Sequence, residues 1–266
     1  MYKNTGFVEA NGVRLYYEQI GQGPHLVLIE GLGVATWLWE KQVPELSRHF
    51  RLLIYDNRGV GRSDKPGGPY SIAMLADDLK ALLDSLDIRK TYVLGVSMGG
   101  FIALDFAYRY PEYVDRLVLV STSAGGPDHV PMSQDVLQEM LATDGTPEEL
   151  VRRKLALAFS EDFMRRPEFD HQVQVRLQNP QPPEAFMAQV AAGASFNLSE
   201  EVKAIRIPAL VMAATGDRVV PVQNAHNLAA KLPNSQLKIY DGYGHQFFVE
   251  IPQVFNRDVI EFLQHK

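Results

Sequence analysis

Three short apolar runs open the chain, around Phe7 to Ala10, Arg14 to Gln19 and His25 to Ile29, and turn-forming breaks at Asn11-Gly12 and Gly21-Gln22-Gly23-Pro24 separate them. Runs of this length between such breakers predict a hairpin leading into a buried strand. Strand-like runs at Phe50 to Tyr55, Thr91 to Val96 and Arg116 to Ser121 then alternate with helical periodicity at about Ser71 to Leu86 and Met98 to Tyr110. From about Ala124 to Asn197 the strand signals stop, and helix starts are expected at Ser133, Thr146-Pro147 and Pro182-Pro183. The sheet pattern resumes with Ala209 to Ala214, a helix from about Pro221 to Lys231, a strand at Gln236 to Tyr240 and a closing helix at about Pro252 to Gln264. The expectation is an α/β fold with a mostly parallel eight-stranded sheet, helices on both faces and a helical insertion. It divides the chain into a core from 1–123 and 198–266 around an insertion at 124–197. No internal repeat or low-complexity segment interrupts this pattern.

Composition narrows the function classes more than the fold. The 266 residues are 46% hydrophobic and 22% charged, close to the average for globular chains and far from disordered or collagenous ones. With 26 Lys and Arg against 32 Asp and Glu, and no basic run, a nucleic-acid partner is not expected. No apolar stretch approaches a membrane span, and the start lacks a signal-peptide pattern, so a cytoplasmic chain without a membrane partner is expected. The absence of cysteine fits a reducing compartment. No motif speaks to oligomeric state.

The chemistry concentrates in Tyr92-Val93-Leu94-Gly95-Val96-Ser97-Met98-Gly99-Gly100, an apolar strand running into G-x-S-x-G and then an apolar helix. A serine on so tight a turn needs small neighbours, because side chains at Gly95 and Gly99 would crowd it. The turn presents the Ser97 hydroxyl outward at a helix N-terminus, where the Met98 backbone N–H faces a developing oxyanion.

A serine hydroxyl needs a base. Of seven histidines, His245 alone follows a strand-like run in a loop, Asp241-Gly242-Tyr243-Gly244-His245, at the carboxyl edge where open α/β sheets bind ligands. The other six are His25, His49, His129, His171, His226 and His265. An acid must orient the base, and Asp217, directly after the strand Ala209 to Ala214, is the leading candidate, with Asp241 and Asp128 as rivals.

Over nearly its whole length the chain resembles the α/β-hydrolase superfamily, and most closely its small bacterial carboxylesterases and enol-lactone hydrolases with a helical cap. The resemblance rests on Gly31-Leu32-Gly33, Asp56-Asn57-Arg58-Gly59-Val60-Gly61-Arg62-Ser63, Gly95 to Gly99, Gly216-Asp217 and Gly244-His245, in the order serine, aspartate, histidine. It implies a serine hydrolase that cleaves a small ester or lactone through an acyl-enzyme on Ser97, with no cofactor and no metal. It also implies that the Leu32 N–H is the second oxyanion donor and that Asp56 to Ser63 buttresses the oxyanion loop, with Asp56 and Arg58 paired. One position departs from the family: Glu30 stands where a histidine is usual. Either its carboxylate turns aside and accepts backbone hydrogen bonds, or, partly buried with a raised pKa, it modulates acyl transfer.

Trp37, Trp39, Met98, Phe247 and Phe248 lie near the expected site in sequence, and Trp37, Phe247 and Phe248 are candidate pocket residues. Met132, Met140, Met164, Phe186, Met187 and Phe196 of the insertion are candidates to line it from above. Gly125-Gly126 and Gly193 are candidate hinges. The same residues also fit C–C bond hydrolysis or cofactor-free perhydrolysis, and a slow-turnover ligand sensor is a reading from another class.

Overall fold

The computed structural model describes residues 3–265. Eight strands form one sheet: β1 (Lys3–Ala10), β2 (Val13–Ile20), β3 (His25–Ile29), β4 (Arg51–Tyr55), β5 (Thr91–Val96), β6 (Val114–Val120), β7 (Ala209–Ala214) and β8 (Ser235–Tyr240). Their spatial order is β1-β2-β4-β3-β5-β6-β7-β8. The pairings β1·β2 and β2·β4 are antiparallel, and every pairing from β4·β3 onward is parallel.

Period-two alternation along the strands separates two cores. Val27 and Ile29 of β3 join the cluster on one face with Leu53 and Tyr55, whereas Leu26 and Leu28 join the opposite cluster with Leu52 and Ile54. Helices α2 (Ile72–Ser85), α3 (Met98–Arg109) and α9 (Gln223–Lys231) contribute apolar residues to the first cluster, and α11 (Pro252–Gln264) contributes Phe255 and Val259 to the second. Because helices cover both faces, β5 and β7 are buried almost throughout and read as continuous apolar runs. Two short helices, α1 (Val43–Leu46) and α10 (Phe247–Glu250), complete the core region.

The expected β1 starts at Phe7, but the strand begins four residues earlier at Lys3. The polar stretch Lys3-Asn4-Thr5-Gly6 is held by main-chain pairing with Tyr17 to Ile20 of β2, a contact that hydrophobic pattern does not register.

Between β6 and β7 the chain forms five α-helices, α4 (Gln134–Leu141), α5 (Pro147–Ala156), α6 (Glu161–Met164), α7 (Pro167–Gln178) and α8 (Pro183–Ala194), followed by a 3-10 turn at Glu201–Ala204. A bridge between Gly125 and Asn197 and a hydrogen bond from the Leu198 amide to the Ala124 carbonyl (2.8 Å) tie the two ends of this segment together. Gly125 and Gly126 both have positive φ and pack against Phe196 and Asn197, so here they serve as tight turn residues.

Candidate active site

Three loops at the carboxyl edge of the parallel strands carry Ser97 after β5, Asp217 after β7 and His245 after β8, with β6 between β5 and β7. Ser97 has φ 55° and ψ −120°, a strained conformation for a residue with a β-carbon. The strain is held from two sides: the Ser97 amide donates to the Val120 carbonyl (2.9 Å), and the Thr122 hydroxyl donates to the Ser97 carbonyl (2.8 Å). A β-carbon at Gly95 would collide with the Gly99 carbonyl, and one at Gly99 would collide with the backbone of Ile29 and Glu30. The small residues therefore let β5, α3 and the loop after β3 approach one another.

His245 Nδ1 lies 2.8 Å from Asp217 Oδ2, and the side chains are 8% and 0% exposed. Asp217 Oδ1 accepts from the Val219 and Val220 amides (2.9 and 2.7 Å), so the buried carboxylate has partners on both oxygens. The His245 loop is pinned by the Ser121 hydroxyl on its carbonyl (2.9 Å) and by the Gly244 amide on Glu250 Oε1 (2.8 Å). Neither rival acid reaches the ring: Asp241 accepts from the Thr215 hydroxyl (2.7 Å) in an exposed loop, and Asp128 is paired with Lys231. The Ser97 hydroxyl and the His245 ring front the same cavity without a direct hydrogen bond, a contact that commonly tightens only when substrate is present.

Leu32, in the loop after β3, lines the same cavity as Met98 at the start of α3, and neither residue's amide is taken by another backbone carbonyl. Sequence reasoning missed the residue that holds this loop. Gln189 of α8, fully buried, accepts from the Gly33 amide (3.1 Å) and donates to the Arg58 carbonyl (3.1 Å). Its signal was a lone glutamine inside the apolar run Phe186 to Val190.

Glu30 turns away from the cavity. Its Oε1 accepts from the backbone and side-chain amides of Asn57 (2.8 and 3.1 Å), while Oε2 is buried without a hydrogen-bond partner. Burial first, and the nearby Asp56 carboxylate second, push its pKa well above the usual carboxylate range. The expected Asp56–Arg58 pair does not form. Asp56 instead accepts from the Thr36 and Arg62 amides (2.8 and 2.7 Å), and Arg58 makes a two-pronged bond with Asp78 on α2, both contacts at 2.5 Å. Asp78 wins because α2 packs it over the β1–β2 turn, where it also accepts from Asn11 (2.9 Å), while Asp56 is occupied by backbone amides.

The cavity above Ser97 has a volume of about 350 Å³ and is walled mainly by apolar side chains from α4, α5 and α8. Of the residues considered from the sequence, Phe248, Met132, Met140 and Phe186 line it. Trp37 and Phe247 do not: Trp37 faces a separate groove of about 700 Å³ that touches neither Ser97 nor His245, and Phe247 is core, stacked on Tyr240 at 4.8 Å. Trp39 is fully buried, Met187 is largely exposed, Met164 packs in the core, and Phe196 stacks on Phe101 at 4.7 Å. Five polar residues that sequence reasoning did not place here also front the cavity: His129, Lys154, Arg176, Gln189 and Gln246. His129 Nδ1 is 3.0 Å from the Ser123 hydroxyl, and burial pulls its pKa down. Among the described residues no group of His, Asp and Glu is placed to hold a metal ion, and no helix is long and apolar enough to cross a membrane.

Comparison with known proteins agrees with this architecture. A family model described as alpha/beta hydrolase fold matches residues 24–252. A putative carbamate hydrolase, RutD, of Serratia proteamaculans (strain 568) is 31% identical over 257 residues, covering 94% of this chain and 96% of its own. A hydrolase from Pseudomonas aeruginosa PA01 superposes with a TM-score of 0.86 at 30% identity over 98% of both chains. The enol-lactonase from Burkholderia xenovorans LB400 has the same TM-score, 0.86, at 27% identity, covering 98% of this chain and all of its own.

Proposed function

The chain belongs to the α/β-hydrolase fold family, and on that premise we propose that it hydrolyses a small, partly apolar carboxylic ester or lactone through an acyl-enzyme on Ser97. The observation that supports this reading is that Ser97, the Asp217-bound His245, Leu32 and Met98 all line one cavity. In the first half-reaction Ser97 Oγ attacks the carbonyl carbon while His245 Nε2 takes its proton. Asp217 holds the ring and stabilises the imidazolium, and the two amides bind the oxyanion. Collapse of the intermediate breaks the C–O bond, and the imidazolium returns the proton to the departing alkoxide. In the second half-reaction water adds to the acyl group, its proton passing to His245, and the acid leaves Ser97 with the proton restored.

The apolar walls favour an acyl or alcohol group with hydrocarbon character over a small polar carbamate, the class named for the Serratia relative. The test is fluorophosphonate labelling with peptide mapping, run beside hydrolysis of p-nitrophenyl esters from acetate to decanoate and of an aryl carbamate. Labelling at Ser97 with an ester chain-length optimum is expected, along with loss of activity by roughly 10⁴ in Asp217→Asn with folding intact. No label and no turnover would overturn the proposal, and turnover of the carbamate alone would replace its substrate class. An Asp217→Asn variant of wild-type rate would remove the assigned acid.

A further inference from the structure

Arg176 and Lys154 are anomalous in the cavity wall. No aspartate or glutamate lines this cavity, yet two cations from different helices, α7 and α5, front it. Neither side chain makes a hydrogen bond or ion pair with a described residue: the Arg176 guanidinium lies 5.5 Å from the centre of the Trp37 ring, and the Lys154 ammonium 5.8 Å from that of Phe186. Glu139, whose carboxylate acts on Lys154 electrostatically, is paired with Arg153 at 3.0 Å. Arg176 is half-buried, and burial pulls its pKa down to about 10. Lys154 is held below its usual value by burial and by the Arg176 charge. Two like charges kept together in an apolar wall are costly unless something anionic joins them.

We propose that Arg176 and Lys154 bind a carboxylate carried by the substrate, so that the preferred substrate is an ester or lactone whose acid portion bears a second, anionic carboxylate. This rests on the esterase or lactonase reading of the same site. The position fits a compact substrate. One guanidinium nitrogen lies 3.4 Å from where a β-carbon on Gly33 would sit, and a β-carbon on Gly31, two residues back, would lie 3.8 Å from Ser97 Oγ. The anion site thus adjoins the oxyanion loop. The fork of Arg176 suits two-point recognition of a carboxylate, and Lys154 adds a second positive centre.

The test measures kcat/KM for p-nitrophenyl hydrogen esters of the succinate-to-pimelate series, each against its terminal amide, which matches it in shape and lacks the charge. At least one acid is expected to exceed its amide by about 10- to 100-fold, the range for a charge-assisted hydrogen bond. The ratio should fall to near one in Arg176→Met, and Arg176→Lys should keep part of it. Lys154→Met supplies a second variant should Arg176→Met not fold. Hydrolysis of the amides with no preference for any acid, or a preference that survives both Met variants, overturns the inference and leaves the esterase reading standing. If no ester is hydrolysed, the esterase reading fails, and calorimetry decides the anion site alone. Monomethyl adipate should bind Ser97→Ala at least tenfold tighter than it binds Ser97→Ala/Arg176→Met, and equal affinity would overturn the inference.

Discussion

Replacing Gln189 with leucine, a side chain of similar size, tests whether α8 holds the oxyanion loop. Gln189 is fully buried and makes three contacts at 3.1 Å: it accepts from the Gly33 amide and the Gln181 side chain and donates to the Arg58 carbonyl. Leucine would leave the Gly33 N–H and the Arg58 carbonyl buried and unpaired. A buried group left unsatisfied costs about 1–3 kcal/mol, so two together predict a loss of roughly 2–4 kcal/mol once partial relaxation is allowed. Gly33 directly follows Leu32, the proposed oxyanion donor, and one such donor is commonly worth about 10²–10³ in kcat. A loop loosened rather than removed should therefore lower kcat by about 10- to 100-fold with little change in KM, the signature of an interaction made chiefly in the transition state. Steady-state hydrolysis of p-nitrophenyl butyrate gives the rate, and urea denaturation gives the stability. Met187→Ala, on the same helix but 52% exposed, should change neither. A Gln189→Leu enzyme with the wild-type kcat would show that the loop keeps its shape without α8 and would refute the reasoning.

Two buried acids should make the fold less stable as pH rises. Burial raises the Glu30 pKa well above 4.5, with the Asp56 carboxylate adding to the effect, and burial raises Asp105 from 3.8 to about 6. In each case the folded state keeps a proton that the unfolded state has lost, so stability is full below the unfolded pKa and declines as pH rises toward the folded one. Glu30→Gln should retain activity, since its amide oxygen can accept the same Asn57 bonds, and its stability advantage over wild type should grow above about pH 4.5. Denaturation midpoints at pH 4, 6 and 8 measure this, and an advantage independent of pH would count against a raised Glu30 pKa. Asp105→Asn should close its stability gap over the narrower window between 3.8 and about 6, which the same series resolves. Gly95→Ala would drive a methyl group into the Gly99 carbonyl, so it should destabilise the fold by about 1–3 kcal/mol or more and abolish labelling of Ser97; soluble, labelled protein would show that the turn tolerates a β-carbon.

What was legible in the sequence is what depends on near neighbours. The apolar runs of β3, β5 and β7 and the G-x-S-x-G turn carry their causes within a few residues, whereas chain order leaves Asp128, Asp217 and Asp241 all between Ser97 and His245, and only the place of Asp217 directly after β7 favours it. The polar start of β1, held only by its partner strand, carries no comparable local mark. Through-space choices were still less visible. Asp78 takes Arg58 from Asp56 across 20 residues, and Gln189 reaches Gly33 across 156. Trp37 and Phe247 looked like pocket residues because they are near the site along the chain, but adjacent residues on a strand or short helix point in different directions, and only Phe248 faces the cavity. Lys154 and Arg176 show the limit most clearly. Each stands in the last turn of its helix, where a basic residue already has a sufficient local reason in the helix dipole. Only the fold shows that the two turns end at the same cavity, without a carboxylate between them, so a pattern that looks like helix capping becomes a statement about substrate charge.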